Sequence, residues 1–226
     1  MIYNNIKKGI FKARPNRFVA HIEIDGHIEI CHVKNTGRCK ELLLPDCIVY
    51  VEEAANTARK TKYSLIAVKK GERIINMDSQ VPNKAVHEWL LTGKLFPDIL
   101  LIKPEKVYGN SRFDFYIETS EQKIFMEVKG VTLEENGVVR FPDAPTERGI
   151  KHMNELIACT KQGYEAYIVF VIQMAHVERF ESNDVTHPEF GVTLRRAKSE
   201  GVHVLAYDCN VQPESISIRN PVPITI

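Results

Sequence analysis

Residues 125–130 read FMEVKG, with an acid and a lysine two positions apart in a strand-like run. Because side chains alternate along a strand, Glu127 and Lys129 are expected on one face. A second strand-like segment, residues 112–118, carries Asp114. If the two segments pair through the polar turn between them, Asp114 and Glu127 converge.

Directly opposite residues of paired strands lie about 5 Å apart, and two carboxylates at that range repel unless a cation lies between them or one is protonated. Mg²⁺ or Mn²⁺ accepts oxygen ligands. We therefore expect Asp114, Glu127 and the Val128 carbonyl to hold such a cation. A metal-bound water would attack a phosphodiester, and Lys129 would orient the water or neutralise developing charge.

An aspartate followed after a short interval by Glu-x-Lys is the signature of the PD-(D/E)xK phosphodiesterase superfamily. Taken alone, this segment is explained about equally well by a surface Glu/Lys pair on a two-stranded edge. Whether this segment is a nuclease site therefore depends on the fold predicted for the rest of the chain.

The first part of the chain, residues 1–82, consists of short alternating strand-like runs with little helix. Asp25-Gly26 between two of the runs is a strong hairpin signal. Five or six short strands of this kind predict a small barrel such as an OB-fold.

The second part, residues 83–226, alternates between helical and strand-like patterns, which predicts an α/β core. Asn83 is a plausible N-cap for a first helix, and residues 146–161 and 188–199 predict two more. Residues 166–172 form an apolar run that suits a fully buried strand. We place the boundary between the two parts near residue 82.

Charge is distributed unevenly over the 226 residues. Residues 1–82 have a net charge of +5 and residues 83–226 one of −4, although the chain as a whole is at +1. Basic surface attracts phosphate backbones, and clustered carboxylates suit a hard divalent cation. Random scatter of solvated charges is the simpler explanation of this asymmetry alone.

The remaining composition favours a cytoplasmic protein without a membrane segment. The five cysteines form no CxxC pair, which indicates free thiols in a reducing compartment. The first residues lack the apolar stretch of a secretory signal, and the longest apolar run of seven residues is too short for a bilayer. Nucleotide-binding, zinc-protease and serine-hydrolase motifs are missing.

Several longer motifs resemble the sugar fermentation stimulation protein A family. They are HVKNTGR at 32–38, LLLP at 42–45, YGNSRFDF at 108–115 and FPDAPTERG at 141–149. The resemblance covers nearly the whole chain in the family's order. It implies an N-terminal OB-fold, a PD-(D/E)xK restriction-endonuclease-like α/β domain and DNA binding. By position, Asp114, Glu127 and Lys129 match the nuclease motif, and Glu88 is a looser candidate for an added catalytic acid.

Two groups of polar residues are candidates for contacts with nucleic acid. The first is the loop with Lys34, Asn35, Thr36 and Arg38, which offers cations and backbone N–H groups to phosphate. The second comprises Arg112 and the residues spaced along one helix face, namely Arg148, Lys151 and His152. A connecting loop and a solvated helix face are the simpler alternatives.

Basic residues of the first strands, including Arg14 and Arg17, could line a barrel face for a single strand. Phe11 and Phe18 could stack on bases, although apolar residues in short strands are more often part of a core. The strandedness of the DNA and the oligomeric state stay open.

Three functions are compatible with these observations. The first is a Mg²⁺- or Mn²⁺-dependent DNA nuclease. The second is a DNA-binding regulator of sugar-metabolism genes in which the acidic cluster is vestigial or structural. The third, a small-molecule phosphodiesterase, has less support because it would not need the basic first part of the chain.

Overall fold

We describe the protein from a computed structural model, which covers residues 1–35, 37–56 and 58–226. The first six strands are β1 (Ile6–Asn16), β2 (Val19–Ile24), β3 (His27–Val33), β4 (Ile48–Glu53), β5 (Tyr63–Lys70) and β6 (Arg73–Asn76). They form one sheet in the order β3-β2-β1-β4-β5-β6, and a parallel pairing of β3 with β5 closes it into a five-stranded barrel.

The turn between β2 and β3 shows how the sequence produces this barrel. Asp25 and Gly26 both have positive φ angles, 51° and 80°, as the tight two-residue turn of a twisted hairpin requires. β2 alternates between buried and partly exposed residues, β5 is buried over its first six residues, and the buried side chains fill the barrel. The expected OB-fold-like barrel is therefore confirmed.

The rest of the chain forms an α/β unit. Its elements are α1 (Val81–Leu90), β7 (Ile99–Tyr108), β8 (Ser111–Thr119), β9 (Lys123–Val131), β10 (Leu133–Glu135), β11 (Val138–Phe141), α2 (Glu147–Thr160), β12 (Glu165–Ile172), β13 (Arg179–Ser182), α3 (Pro188–Ser199), β14 (His203–Gln212), β15 (Ser215–Pro221) and β16 (Ile224–Thr225).

The main sheet of this unit has the order β15-β14-β12-β9-β8-β7. β12 runs parallel to both neighbours, β9 and β14, and it is almost entirely buried, as its continuous apolar run predicts. β7, β8 and β9 form an antiparallel meander at one side. A second, smaller sheet has the order β10-β11-β13-β16.

A capping side chain and a proline mark the starts of two of the helices. Thr146 caps α2, because its side chain accepts a hydrogen bond from the backbone N–H of Gly149. α1 begins at Val81, and Pro82 lies in its first turn, where a missing N–H has no cost. Asn83 is therefore inside the helix rather than its N-cap, and the expectation for that residue was wrong.

The barrel and the α/β unit share their buried core. Both hydrophobic clusters contain side chains of each: Ile22 lies in one cluster with Phe113, and Ile66 lies in the other with Phe115. The chain leaves the barrel sheet at Asn76, near the division predicted at residue 82, which stays a prediction as a domain boundary.

No helix in residues 1–35, 37–56 and 58–226 is both long and apolar enough to cross a membrane.

Candidate active site

β8 and β9 pair as the expected hairpin. Their registered pairs end at Phe115–Met126, and Asp114 and Glu127 are the next residues on the two strands. The hairpin therefore brings both acids to its open end, where the strands no longer share a ladder.

The Asp114 side chain accepts a hydrogen bond from a backbone N–H of β9. One carboxylate oxygen, Oδ2, accepts a hydrogen bond from the backbone N–H of Val128 at 2.7 Å. The other, Oδ1, accepts one from the side-chain amide of Asn83 at 2.7 Å. Burial, together with repulsion from Glu127, nevertheless raises the pKa of Asp114 to about 6. Glu127 is thus close enough to oppose ionisation of Asp114.

The two oxygens of Glu127 differ in their surroundings. Oε1 is 2.6 Å from the ammonium of Lys129 and 2.5 Å from Nδ1 of His152. Oε2 is buried and has no hydrogen-bond partner among the described residues. Burial opposes ionisation of Glu127, but His152 and Lys129 outweigh it and lower the pKa. Glu127 therefore carries a charge with one oxygen left unsatisfied.

This arrangement fits a divalent cation. An unsatisfied buried carboxylate oxygen is costly, and a second carboxylate beside it adds repulsion. A hard cation binds carboxylate oxygens directly, so it satisfies the free oxygen and reduces the repulsion between the two carboxylates. Val128, whose carbonyl was the third expected ligand, lies between Glu127 and Lys129 on β9 and pairs with Val169 of β12. The residues present therefore fit Mg²⁺ or Mn²⁺.

His152 has a different position from the one expected. It is buried, with only 4% of its surface exposed, and it contacts Glu127. A buried ring cannot meet a phosphate at the surface, so this geometry contradicts a direct nucleic-acid contact through His152. Nε of Arg148, one helical turn earlier, lies 3.3 Å from Nε2 of the same ring.

Glu88 lines a cleft of about 340 Å³ that also contains Asp114, Asn83 and His87. Its carboxylate contacts the N-terminal amine of Met1, and its side chain is about half exposed. Glu88 thus shares a cleft with Asp114, but its charge is already paired. The helix residue that touches Asp114 is Asn83, which the sequence interpretation placed at the helix start instead.

Glu105 is a further acid of this cleft that the sequence interpretation missed. It lies on β7 at the level of Asp114, between the registered pairs Pro104–Phe115 and Lys106–Phe113. Its φ of 58° is unusual for a residue with a side chain, and its carboxylate is 2.6 Å from Arg112. Arg112, a predicted nucleic-acid contact, is therefore paired with an acid.

The predicted loop contacts are only partly available to a ligand. The ammonium of Lys34 lies 3.1 Å from Asp78. The Asn35 amide donates to the backbone of the chain at Met77. Arg38 is exposed and lines a cleft. Thr36 lies outside the described residues.

On α2, the ammonium of Lys151 donates to the backbone carbonyl of Asn110 at 2.7 Å, and both Lys151 and Arg148 are exposed. These two cations flank the buried His152 on the helix that covers Glu127. They are therefore near the hairpin acids and open to solvent on one side.

Another set of potential metal ligands lies at the starts of α2 and α3, namely Glu147, His187 and Glu189. Nδ1 of His187 accepts a hydrogen bond from the backbone N–H of Thr146, so its neutral ring carries the proton on Nε2. That nitrogen faces Glu147 at 3.4 Å as a donor, which disfavours a metal there.

The chain combines a closed OB-like barrel with an α/β unit that has two acids and a lysine on one hairpin. This combination defines a two-domain protein with an OB-fold and a nuclease-like fold. Residues 13–77 match the family model for the SfsA N-terminal OB domain, and residues 80–215 match the model for the sugar fermentation stimulation protein RE domain. The chain belongs to the sugar fermentation stimulation protein (SfsA) family, and the resemblance noted in the sequence is confirmed.

Relatives cover the full length of the chain. Sugar fermentation stimulation protein homologues of Clostridium beijerinckii and Ruminiclostridium cellulolyticum are 62% and 58% identical, with 100% of both chains covered in each case. The solved structure described as Pyrococcus furiosus SfsA in complex with Ca²⁺ is 31% identical, covers 100% of this chain and 98% of its own, and superimposes with a TM-score of 0.89.

Proposed function

We propose that this protein binds DNA and hydrolyses its phosphodiester bonds with a divalent cation held by Asp114 and Glu127. The observation that supports this most directly is Glu127 Oε2, a buried carboxylate oxygen without a partner among the described residues, next to a second acid. A purely structural carboxylate would be expected to have both oxygens satisfied.

The chemistry of the donors supports a hard cation. Asp114, Glu127 and the carbonyl of Val128 offer only oxygen. The Pyrococcus furiosus relative, which has the same fold, was solved with Ca²⁺, a cation of the same class. Bound Mg²⁺ or Mn²⁺ supplies Lewis acidity and lowers the pKa of the attacking water.

The side chains of the protein would orient the metal ligands, neutralise charge on the phosphate and bind the DNA backbone. Asp114 is held by Asn83 and Val128, so its carboxylate needs little reorganisation. Lys129, 2.6 Å from Glu127 Oε1, brings a positive charge to the position where a phosphoryl group gains negative charge. Exposed Arg38, Arg148 and Lys151 would contact the phosphate backbone.

The alternative is a DNA-binding protein that does not cleave and that regulates sugar-metabolism genes. The name shared by the relatives refers to sugar fermentation. The contact of Glu88 with the N-terminal amine favours this alternative, because it occupies an acid expected to be catalytic. Both functions place the protein in the cytoplasm, where its five free thiols stay reduced.

Purified wild-type protein and the variants Lys129→Ala and Glu127→Gln would be incubated with labelled single- and double-stranded DNA, with and without Mg²⁺ or Mn²⁺. We expect metal-dependent cleavage by the wild type and a loss of roughly 100-fold or more in each variant, since Glu127→Gln removes a charge that holds the cation and Lys129→Ala removes one that neutralises the reacting phosphate. Lys123→Ala, at the exposed start of the same strand, is the matched control and should cleave normally.

Cleavage that both site variants retain in full would show that the hairpin acids are not the active site. Metal-independent DNA binding by every protein, with no cleavage in any metal, would establish the regulatory alternative instead.

A further inference from the structure

A cleft of about 490 Å³ lies where the barrel meets the loop before α2. We call it the basic cleft. Its lining includes the turn between β1 and β2, the loop after β3 and Ala144, and the residues that matter here are Arg14, Asn16, Arg17, Gly37, Arg38 and Lys40. The cleft thus combines four cations from separate parts of the barrel.

These cations differ from several other basic residues of the barrel in their partners. Lys7, Lys12 and Lys34 each lie within 3.1 Å of an aspartate. Arg17, Arg38 and Lys40 are exposed, and in the part of the chain that the structure describes no carboxylate lies within ion-pair distance of them. Their charge is therefore available to an anionic ligand.

Arg14 gives the cleft a fixed shape. Its guanidinium donates to four backbone carbonyls, those of Arg17, Asn35, Gly37 and Arg38, at 2.7 to 3.0 Å. A loop held in this way loses little entropy when a ligand binds. The positive charge of Arg14 is not cancelled, because all four acceptors are neutral.

Phe18 provides an aromatic surface beside this charge. Its side chain is 51% exposed, whereas Phe11, the other aromatic candidate, is buried. The guanidinium carbon of Arg17 lies 5.9 Å from the ring centre of Phe18. An exposed ring next to cations is typical of surfaces that stack unpaired bases while contacting the backbone. The bases of a duplex are not available for such stacking.

A smaller cleft lies between the basic cleft and β9. Gly37 lines both this cleft and a smaller one of about 160 Å³. The smaller cleft reaches Gly130, which directly follows Lys129. A ligand that extends from one cleft into the other therefore reaches β9, the strand that carries Glu127 and Lys129.

We propose that the basic cleft holds a single-stranded segment of nucleic acid, with its phosphates on Arg17, Arg38 and Lys40 and a base on Phe18. This inference rests on the proposed function and deepens it, because it assigns the strandedness of the DNA that the protein binds. The single strand, rather than the duplex, is the form that the cleft recognises.

The test is fluorescence anisotropy of a labelled oligothymidylate and of a labelled duplex over a range of salt concentrations. The combined variant Arg17→Ala/Arg38→Ala/Lys40→Ala should bind the single strand roughly 100-fold more weakly at about 0.1 M salt, with a salt slope smaller by about 2. Phe18→Ala should weaken single-strand binding about tenfold with an unchanged slope.

The matched control is Lys94→Ala/Lys123→Ala/Lys198→Ala, which removes the same charge from exposed positions outside the cleft. Equal losses in the two combined variants would show that only net charge matters and would overturn the proposal. An equal effect of Phe18→Ala on strand and duplex would overturn the assignment of a single strand.

A measurement on a small phosphodiester separates this proposal from the proposed function. If the site is hydrolytic, the cleft variant should still hydrolyse bis(p-nitrophenyl) phosphate. Specific single-strand binding by a wild type that never hydrolyses this ester would support the cleft and contradict the nuclease.

Discussion

The Glu127 carboxylate depends on a ring that the chain supplies from α2. Nε of Arg148 is always a donor, so Nε2 of His152 must accept from it. The neutral ring therefore carries its proton on Nδ1 and donates it to Glu127 Oε1. In the proposed metal site, Arg148 and His152 would be positioning residues, because they hold one oxygen of Glu127 and leave the other free for a cation.

Substitution of His152 tests this role. An asparagine places an amide donor near the position of Nδ1, whereas a glutamine reaches the position of Nε2. We expect His152→Gln to lower the Mn²⁺ affinity roughly tenfold or more, and His152→Asn to keep most of it. Isothermal titration of the metal-free variants measures both, and equal affinities in the two would contradict the tautomer assigned here.

Some residues of the candidate site could be predicted from the sequence and others could not. The alternation of β8 and β9 is local, so Asp114, Glu127 and Lys129 were visible as a set. The bonds of His152 and Asn83 depend on how helices dock against the sheet, which no local pattern specifies. The backbone of Glu105 is in a left-handed conformation that nothing in its neighbourhood predicts.

At the scale of elements, Gly130 lets β9 and the start of α1 approach closely. A Cβ at this position would lie 2.5 Å from Oε1 of Gln173 and 2.8 Å from a ring carbon of Pro82. Pro82 is in the same turn as Asn83, the residue that bonds to Asp114. The spacing of the two elements and the orientation of Asp114 are therefore linked.

We expect Gly130→Ala to force these elements apart. The free energy of unfolding should fall by about 1–3 kcal/mol, as for other overpacked sites, and Mn²⁺ affinity should fall with it. Urea denaturation measures the first quantity and metal titration the second. In a Pro82→Ala background the loss should be smaller. Full additivity of the two substitutions would contradict the close contact.

Elements with a strong local signal were predicted well. α3 has the bounds expected from the sequence, α2 is one residue shorter than expected at each end, and β12 begins one residue earlier than expected. β7 was missed because its middle, with Lys103, Pro104 and Glu105, reads as a polar loop. It can nevertheless be a strand, since it lies at the sheet edge where proline is tolerated.

At the scale of the whole molecule, part of the charge asymmetry serves to join the two parts of the chain. Glu134 of the α/β unit is buried, and its carboxylate lies 2.7 Å from Lys70 and 2.6 Å from Arg73 of the barrel. Gln173 adds hydrogen bonds to the backbone at Asn76 and Asp78. Lys70 and Arg73 therefore contribute to the contact between the barrel and the α/β unit rather than to binding of DNA.

Glu134→Ala should destabilise the protein by about 2–4 kcal/mol, because it leaves two partly buried cations without their partner. Its neighbour Glu135→Ala, exposed on the same strand, should change stability by less than about 0.5 kcal/mol. Thermal unfolding with two optical probes measures both values. Similar losses in the two variants would contradict a role for the buried pairs.

The effect of Glu134 should also depend on pH. Burial opposes its ionisation, but Lys70, the backbone N–H of Gly137 and Arg73 outweigh burial and hold the pKa below its usual range. A carboxylate with a lowered pKa stabilises the fold above its unfolded-state pKa, and this contribution is lost as pH falls through the folded-state value. The difference between wild type and Glu134→Ala should therefore shrink in acid.

The contacts of the first residues with the last hairpin have a consequence for synthesis on the ribosome. The backbone N–H of Tyr3 donates to the carbonyl of Glu214, and Ile2 forms a bridge with Ser215. The ribosome releases a chain from its N-terminus, so every barrel strand has emerged long before residues 214–216 exist. Ile2 and Tyr3 can therefore pair only after residues 214 and 215 have themselves left the ribosome, later than the barrel strands can pair with one another.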